Sequence, residues 1–277
     1  MTGASGMVGR AVCEHCTSCG DTVLPYDHES VDIKDQDLVT QTLAGEKPDV
    51  VINCAAWTDV DGCELDPERA FAVNAQGPEN LAKASRRAGA LLITISTDYV
   101  FDGEKEGFYT QRDDPNPQSV YANSKLEGER RAQLAHARTI VVRTGFVFGP
   151  RGKNYLSTVV HRARQGETLV AIGDAYGTPT YALDLAARLR ELSQLDLPGV
   201  YHVVNGGRGA SFEEFTREVV KIAGRDGVKI ECISMDSLKR PAPRPRNSRL
   251  RCLLSEAIAL APLRDWRDAL HEFVEQQ

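Results

Sequence analysis

Short β-branched apolar runs alternating with helical periodicity, and a glycine-rich turn ahead of the first helix, predict a doubly wound parallel α/β sheet of Rossmann type. A third observation joins them: Tyr121-Ala-Asn-Ser-Lys125, preceded in the chain by Ser96-Thr97, supplies a tyrosine, a lysine and hydroxyls in an order that suits carbonyl chemistry. The apolar runs at 22–26, 49–53, 91–96, 139–143 and 200–204 do not alternate with polar residues, as strands buried on both faces would not. Pro25 removes one ladder donor from the first of these and argues against a long strand there. Helical spacing fills 35–43, 67–75, 78–88, 119–135, 154–164 and 211–223. The last of these opens with Ser211 and Glu214 at capping-box spacing.

The glycine turn should follow a buried central strand, yet only Met1 and Thr2 precede Gly3. Loss of that strand would leave neighbouring backbone groups unpaired. The expectation is therefore a truncated or mis-assigned start. Restoring upstream residues that encode an apolar strand should raise the melting temperature, and an unchanged melting curve would refute this.

At 277 residues the chain is long for one domain, so a large α/β domain with a smaller appendage is expected. The formal charge of −6 carries no basic stripe, which argues against nucleic acid as a partner. A local cluster of Arg240, Arg244, Arg246, Arg249 and Arg251 is instead suited to an anionic small molecule. No apolar run approaches the ~20 residues that span a bilayer, and no signal peptide opens the chain, so a cytoplasmic protein without a membrane partner is expected. Seven cysteines include Cys13, Cys16 and Cys19 around His15, which imitates a metal run. Cys13 and Cys16 continue the inward helical face of Val8 and Val12, and no second pair matches them, so no metal is expected.

Gly3, Gly6 and Gly9 allow a tight turn and close approach of backbone amides, including those of Met7 and Val8, to a pyrophosphate. Asp27 follows at the end of the next strand, where a carboxylate can bind adenosine ribose hydroxyls and repel a 2′-phosphate. Arg10 and His28 can offset that repulsion, so both NADH and NADPH stay open as cofactors. On a helix, Tyr121 and Lys125 lie four apart on one face. A phenol with an ordinary pKa near ~10 becomes a usable acid or base when an ammonium beside it favours the anion.

Taken together, several motifs resemble those of dTDP-4-dehydrorhamnose reductases, within the extended short-chain dehydrogenase/reductases. They are Thr2-Gly-Ala-Ser-Gly-Met-Val-Gly9, Asn53-Cys-Ala-Ala-Trp-Thr-Asp-Val-Asp61, Ser96-Thr-Asp-Tyr-Val-Phe-Asp-Gly103, Tyr121-Ala-Asn-Ser-Lys-Leu-Glu-Gly-Glu129, Gly177-Thr-Pro-Thr180 and Arg244-Pro-Arg-Asn-Ser248. The likeness runs over nearly the whole chain. It implies reduction of the C4 carbonyl of dTDP-4-dehydro-L-rhamnose by NADPH or NADH, giving dTDP-L-rhamnose, in a monomer or homodimer. By the same likeness Thr97, Tyr121 and Lys125 are catalytic, and Cys54, Ala55, Ala56 and Thr58 line the cofactor. Val100, Phe101, Asn154, Arg246 and Asn247 hold the sugar nucleotide. Family members usually carry a tryptophan where Phe146 stands.

The implied roles are physical ones. Tyr121 donates a proton to the developing oxyanion, Thr97 bonds the same oxygen, and Lys125 lowers the Tyr121 pKa while binding the nicotinamide ribose. Residues 1–149, with 177–204 returning to them, form the NAD(P) domain. Residues 150–176 and 205–277 form the smaller α/β substrate domain. Two rivals share the fold: nucleotide-sugar epimerases or dehydratases, and a non-catalytic regulator resembling the methionine adenosyltransferase β subunit.

Overall fold

The computed structural model describes residues 1–277. Four parallel strands, Val50–Asn53, Leu91–Thr97, Thr139–Thr144 and Gly199–His202, lie side by side in chain order. Each corresponds to an expected apolar run. The strand Thr139–Thr144 is buried along its whole length, which explains its lack of alternation.

Beyond Val50–Asn53 the sheet continues through a stub. Thr2 bridges Asn53 on one side and Tyr26 on the other, both in parallel. The Thr2 amide donates to the Ile52 carbonyl at 3.0 Å, and the Tyr26 amide donates to the Met1 carbonyl at 2.8 Å. The Met1 ammonium itself donates to the Leu24 carbonyl at 3.1 Å. The segment expected as a strand at 22–26 accordingly forms only the bridge at Tyr26, because Met1 and Thr2 are all that it can pair with. A side-chain ladder reinforces the junction. Thr2 Oγ1 donates to Asn53 Oδ1 at 2.8 Å, and Asn53 Nδ2 donates to Thr94 Oγ1 at 3.1 Å.

The two faces of the sheet bury different residues. Ile52, Leu91, Ile93, Ile140 and Val142 meet helices Met7–Ser18 and Ala182–Leu195, whereas Val51 and Leu92 meet Gln36–Glu46, Gly77–Ala88 and Val120–Ala135. Helices on both faces are what a doubly wound sheet requires. A separate core joins helices Tyr155–Arg164, Phe212–Ile222 and Trp266–Glu275 around Phe148, Tyr181, Phe215 and Phe273. Strands Leu169–Ile172 and Ile230–Ile233 pair in parallel alongside it. The capping box at Ser211 and Glu214 closes in both directions at 3.0 Å.

One expected helix differs. The run at 67–75 is α-helical only over Pro67–Phe71 and then widens into a π-turn at Ala72–Gln76 before Gly77–Ala88. Pro78 explains the widening, since it lacks an amide and its ring would clash with a carbonyl one turn back. The π-turn places Asn74 so that its side chain accepts from the Trp57 amide at 2.9 Å. The same side chain donates to the Trp57 carbonyl at 3.0 Å and to Ser124 Oγ at 3.1 Å. Gly128 lets this segment approach, because a Cβ there would lie 2.1 Å from the Asn74 carbonyl oxygen. Helix Val120–Ala135 is thereby held against the strand ends.

Candidate active site

Beyond the carboxyl ends of the strands lies a cleft of about 500 Å³ between the sheet and the second core. Thr97, Tyr121 and Lys125 all line it, as do Gly6, Met7, Val8, Gly9, Cys54, Ala56, Thr58 and Asn154. Eleven of the residues singled out from sequence therefore meet at one surface. Several elements place them: Thr97 by the end of a buried strand, Tyr121 and Lys125 by the first turns of helix Val120–Ala135, whose N-cap is Ser119.

The glycine turn is built by close contact. Gly3 has φ of 71° and a Cβ there would meet the Ala55 amide nitrogen at 2.5 Å; at Gly9 it would meet the Gly3 carbonyl oxygen at 2.1 Å. Helix Met7–Ser18 starts at Gly6 without any side-chain cap, so its first amides face the cleft with no partner from the protein. Those unpartnered amides and the positive end of the helix dipole make an anion site. Gly3 and Ala55 shape the turn from behind. The Ala55 amide is occupied by Asn53 Oδ1 at 3.0 Å.

Buried groups dominate the electrostatics. Lys125 is almost fully buried, its ammonium donating to the Ile95 carbonyl at 2.7 Å, and burial brings its pKa down to about 8. Burial drives the Tyr121 phenol far above its ordinary value, against a smaller opposing effect of the Thr97 hydroxyl. Burial, which the Tyr121–Lys125 spacing does not reveal, is thus the largest influence on the phenol. In this structure Tyr121 therefore carries its proton. The Cys54 thiol is pushed up to about 12 by burial and stays neutral.

Other expected contacts lie elsewhere. Val100 and Phe101 are fully buried, with Phe101 stacked on Tyr109 at 4.4 Å, so their side chains support the floor and do not reach the cleft. Asn154 lines the cleft while capping helix Tyr155–Arg164. Its Oδ1 accepts from the Ser157 amide at 2.9 Å and its Nδ2 donates to the Val147 carbonyl at 2.7 Å. Arg246 stands outside the lining, paired with Asp174 at 2.7 Å and with Asp236. The Asn247 amide ties down a loop through the Lys105 and Gly107 carbonyls.

The arginine cluster is largely neutralised from within. Arg244 pairs with Asp61 and Arg251 with Glu256, while Arg249 bonds the Asn247 amide oxygen. Asp27 sits at the end of the segment that bridges Thr2, but its Oδ1 accepts from the Ser30 amide and hydroxyl. Those bonds hold its carboxyl below the usual value.

Three features were not read from sequence. Asp98 is buried beside Thr97, accepts its hydroxyl at 3.0 Å, and keeps Oδ2 without a well-formed hydrogen bond. Burial pushes its carboxyl up to about 6. The Thr144 hydroxyl, on the same cleft, is also buried and unpartnered. On the opposite wall Phe146 packs on Phe212 at 4.5 Å, and Tyr155 meets Phe212 at 5.8 Å. An acid beside a threonine inside a known motif was the available signal for Asp98. For the aromatic wall the signal was Phe146 standing where relatives carry a tryptophan; its packing with Phe212, far away in sequence, was not legible.

Comparisons with known proteins agree with this geometry. The family model described as RmlD substrate binding domain matches residues 1–277. A dTDP-4-dehydrorhamnose reductase of Mycolicibacterium smegmatis is 39% identical, over 99% of this chain and 84% of that protein. The crystal structure of a Clostridium acetobutylicum dTDP-4-dehydrorhamnose reductase superposes with a TM-score of 0.94 at 36% identity, covering 99% of this chain and 97% of the other. The Bacillus anthracis reductase in complex with NADP gives a TM-score of 0.95 at 31% identity, covering 100% and 98%. With its sheet, its glycine turn and its full-length match, the chain belongs to the RmlD family, that of the dTDP-4-dehydrorhamnose reductases.

Proposed function

We propose that the protein reduces the C4 carbonyl of dTDP-4-dehydro-L-rhamnose with NAD(P)H, giving dTDP-L-rhamnose. The observation that carries this reading is the meeting of Thr97, Tyr121 and Lys125 in one cleft with the unpartnered amides of Met7, Val8 and Gly9. The glycine turn fits a dinucleotide: it leaves a cradle that any Cβ at Gly3 or Gly9 would fill. When bound, the nicotinamide supplies the hydride. Met7, Val8 and Gly9 hold the pyrophosphate by their amides, Cys54, Ala56 and Thr58 border the cofactor, and Asp27 offers Oδ2 to the ribose.

Tyr121, protonated in this site, gives its proton to the oxygen that gains charge. Thr97 bonds the same oxygen, and Lys125 leaves the Ile95 carbonyl for the nicotinamide ribose. Phe146, Tyr155 and Phe212 exclude water from the sugar face. Asn154 borders the nucleotide. Arg246, half exposed, exchanges its carboxylates for the diphosphate, and Asn247 fixes the loop behind it. Residues 1–149 with 177–204 hold the cofactor, and 150–176 with 205–277 hold the sugar nucleotide. No helix is long and apolar enough to cross a membrane. The likeness to biosynthetic reductases supports reading the protein as cytoplasmic, and as a monomer or homodimer.

The test is loss of nicotinamide absorbance with dTDP-4-dehydro-L-rhamnose and each reduced cofactor in turn. Oxidised cofactor released in step with dTDP-L-rhamnose supports the reading. A cofactor that stays bound through turnover indicates an epimerase or dehydratase, and no turnover of any keto sugar indicates a binding protein.

A further inference from the structure

One turn beyond Lys125 on the same helix stands Glu129, a carboxylate that is only 3% exposed. Helical spacing makes the pair neighbours on one face, in continuation of the Tyr121–Lys125 row. Glu129 is held on two sides. Arg143, also buried, grips it bidentately, with Nε at 3.0 Å from Oε1 and Nη2 at 2.7 Å from Oε2. Ser96 donates its hydroxyl to Oε1. Ser96 follows Ile95, whose carbonyl takes the Lys125 ammonium at 2.7 Å. Consecutive residues of one strand therefore fasten consecutive turns of one helix.

A buried ion pair in a core is weak evidence for stability, because desolvation offsets most of its attraction. Its position under the site points to another use. We propose that Glu129, clamped by Ser96 and Arg143, is a positioning residue that supplies the counter-charge for the Lys125 ammonium and fixes it for the cofactor ribose. This rests on the reading of Lys125 given above.

The surroundings of Lys125 support the assignment. Besides Glu129 on its own helix, the titratable groups acting on it are the thiols of Cys54, at a strand end, and Cys63, on helix Val60–Leu65. Both thiols are pushed up by burial, to about 12 and about 11, and carry no charge near neutral pH. The Tyr121 phenol is likewise neutral. Asp98 titrates on the acid side, at about 6. Glu129 is the largest of the influences that oppose the burial bringing Lys125 down to about 8, ahead of Cys54 and Cys63. Removing its charge sends Lys125 lower still, so the ammonium disappears on the alkaline side at a lower pH.

The experiment measures NADPH and NADH affinity across pH by nucleotide fluorescence, together with kcat/KM. Glu129→Gln leaves Arg143 buried without its partner and can fail to fold, so Glu129→Gln/Arg143→Met, which removes both charges, is measured beside it. The expected result is an alkaline limb displaced downward by about one pH unit, or about fivefold weaker binding at pH 8. Glu129→Asp, which retains the charge, should restore the limb. A limb present in the unsubstituted protein and unmoved in the folded double variant overturns the proposal. Absence of any limb in the unsubstituted protein instead overturns the role of Lys125 itself.

Discussion

The Thr97 hydroxyl donates to Asp98 Oδ1 at 3.0 Å, while Asp98 Oδ2 is buried without a well-formed hydrogen bond, only the Ser248 side chain acting on the carboxyl from another segment. It is walled in by Gly145, where a Cβ would come within 2.2 Å of the carboxyl carbon. An unsatisfied buried carboxylate costs stability, and burial accordingly pushes its pKa up to about 6. The unfolded chain titrates this group near ~3.9, so between those values the folded state holds the extra proton and stability falls as pH rises through the window. Asp98→Asn should therefore raise stability at pH 7 by about 2 kcal/mol and have little effect near pH 4. Thermal unfolding at the two pH values checks this; an equal effect at both would remove the carboxylate charge as the cause.

Tyr121→Phe deletes the proton donor and leaves the ring in place. Turnover should drop by roughly 10²–10⁴ with cofactor affinity almost unchanged. Lys125→Met should damage both, since the proposed function gives the ammonium the ribose to hold as well as the site to order. Steady-state kinetics beside direct cofactor binding separates the two, and near-normal turnover of the phenylalanine variant would remove Tyr121 from the chemistry.

Glycine positions give a contrast within one protein. At Gly9 an added methyl meets the Gly3 carbonyl oxygen at 2.1 Å, so Gly9→Ala must move the turn. It should cost about 1–3 kcal/mol, as overpacking does, and weaken cofactor binding. Gly45, near the end of helix Gln36–Glu46, has nothing within 4 Å of its would-be Cβ. Gly45→Ala should stabilise the protein by about 0.5 kcal/mol through lower unfolded-state entropy. Paired melting curves decide, and similar losses at both sites would contradict the close-approach argument.

What the sequence revealed follows from the range of each interaction. Period and capping are local, so helix Val120–Ala135 and the box at Ser211 and Glu214 were legible. The double bridge at Thr2 was not legible, because pairing to Tyr26 and Asn53 is non-local. The ion pairs of the arginine cluster were hidden for the same reason. The carboxylates that neutralise it, Asp61 and Asp174, lie far upstream, and nothing in the arginine run announces them. Val100 and Phe101 sit in a motif with functional neighbours, yet the 3₁₀ turn over Asp98–Val100 turns their side chains into the core. The sequence brings Tyr121 and Lys125 to one helix face, but the burial that shifts both pKa values could not be read, since spacing carries no information about burial.

The choice between NADH and NADPH turns on Asp27 and Arg10. Ser30 occupies Asp27 Oδ1 twice, at 2.8 and 3.0 Å, which orients the carboxylate and leaves Oδ2 available to ribose hydroxyls. Asp27→Ala should then weaken NADH, while NADPH is spared or improved because the charge opposing its 2′-phosphate is gone. Arg10 is exposed on the first turns of helix Met7–Ser18, and a guanidinium there can grip a 2′-phosphate, so Arg10→Ala should weaken NADPH alone. Because the two side chains pull in opposite directions, the unsubstituted protein should use both cofactors. Dissociation constants for each cofactor with each variant test this directly. A ratio of NADH to NADPH affinity that neither substitution alters would mean that the adenosine ribose is read by other residues than the pair at the end of the Thr2 bridge.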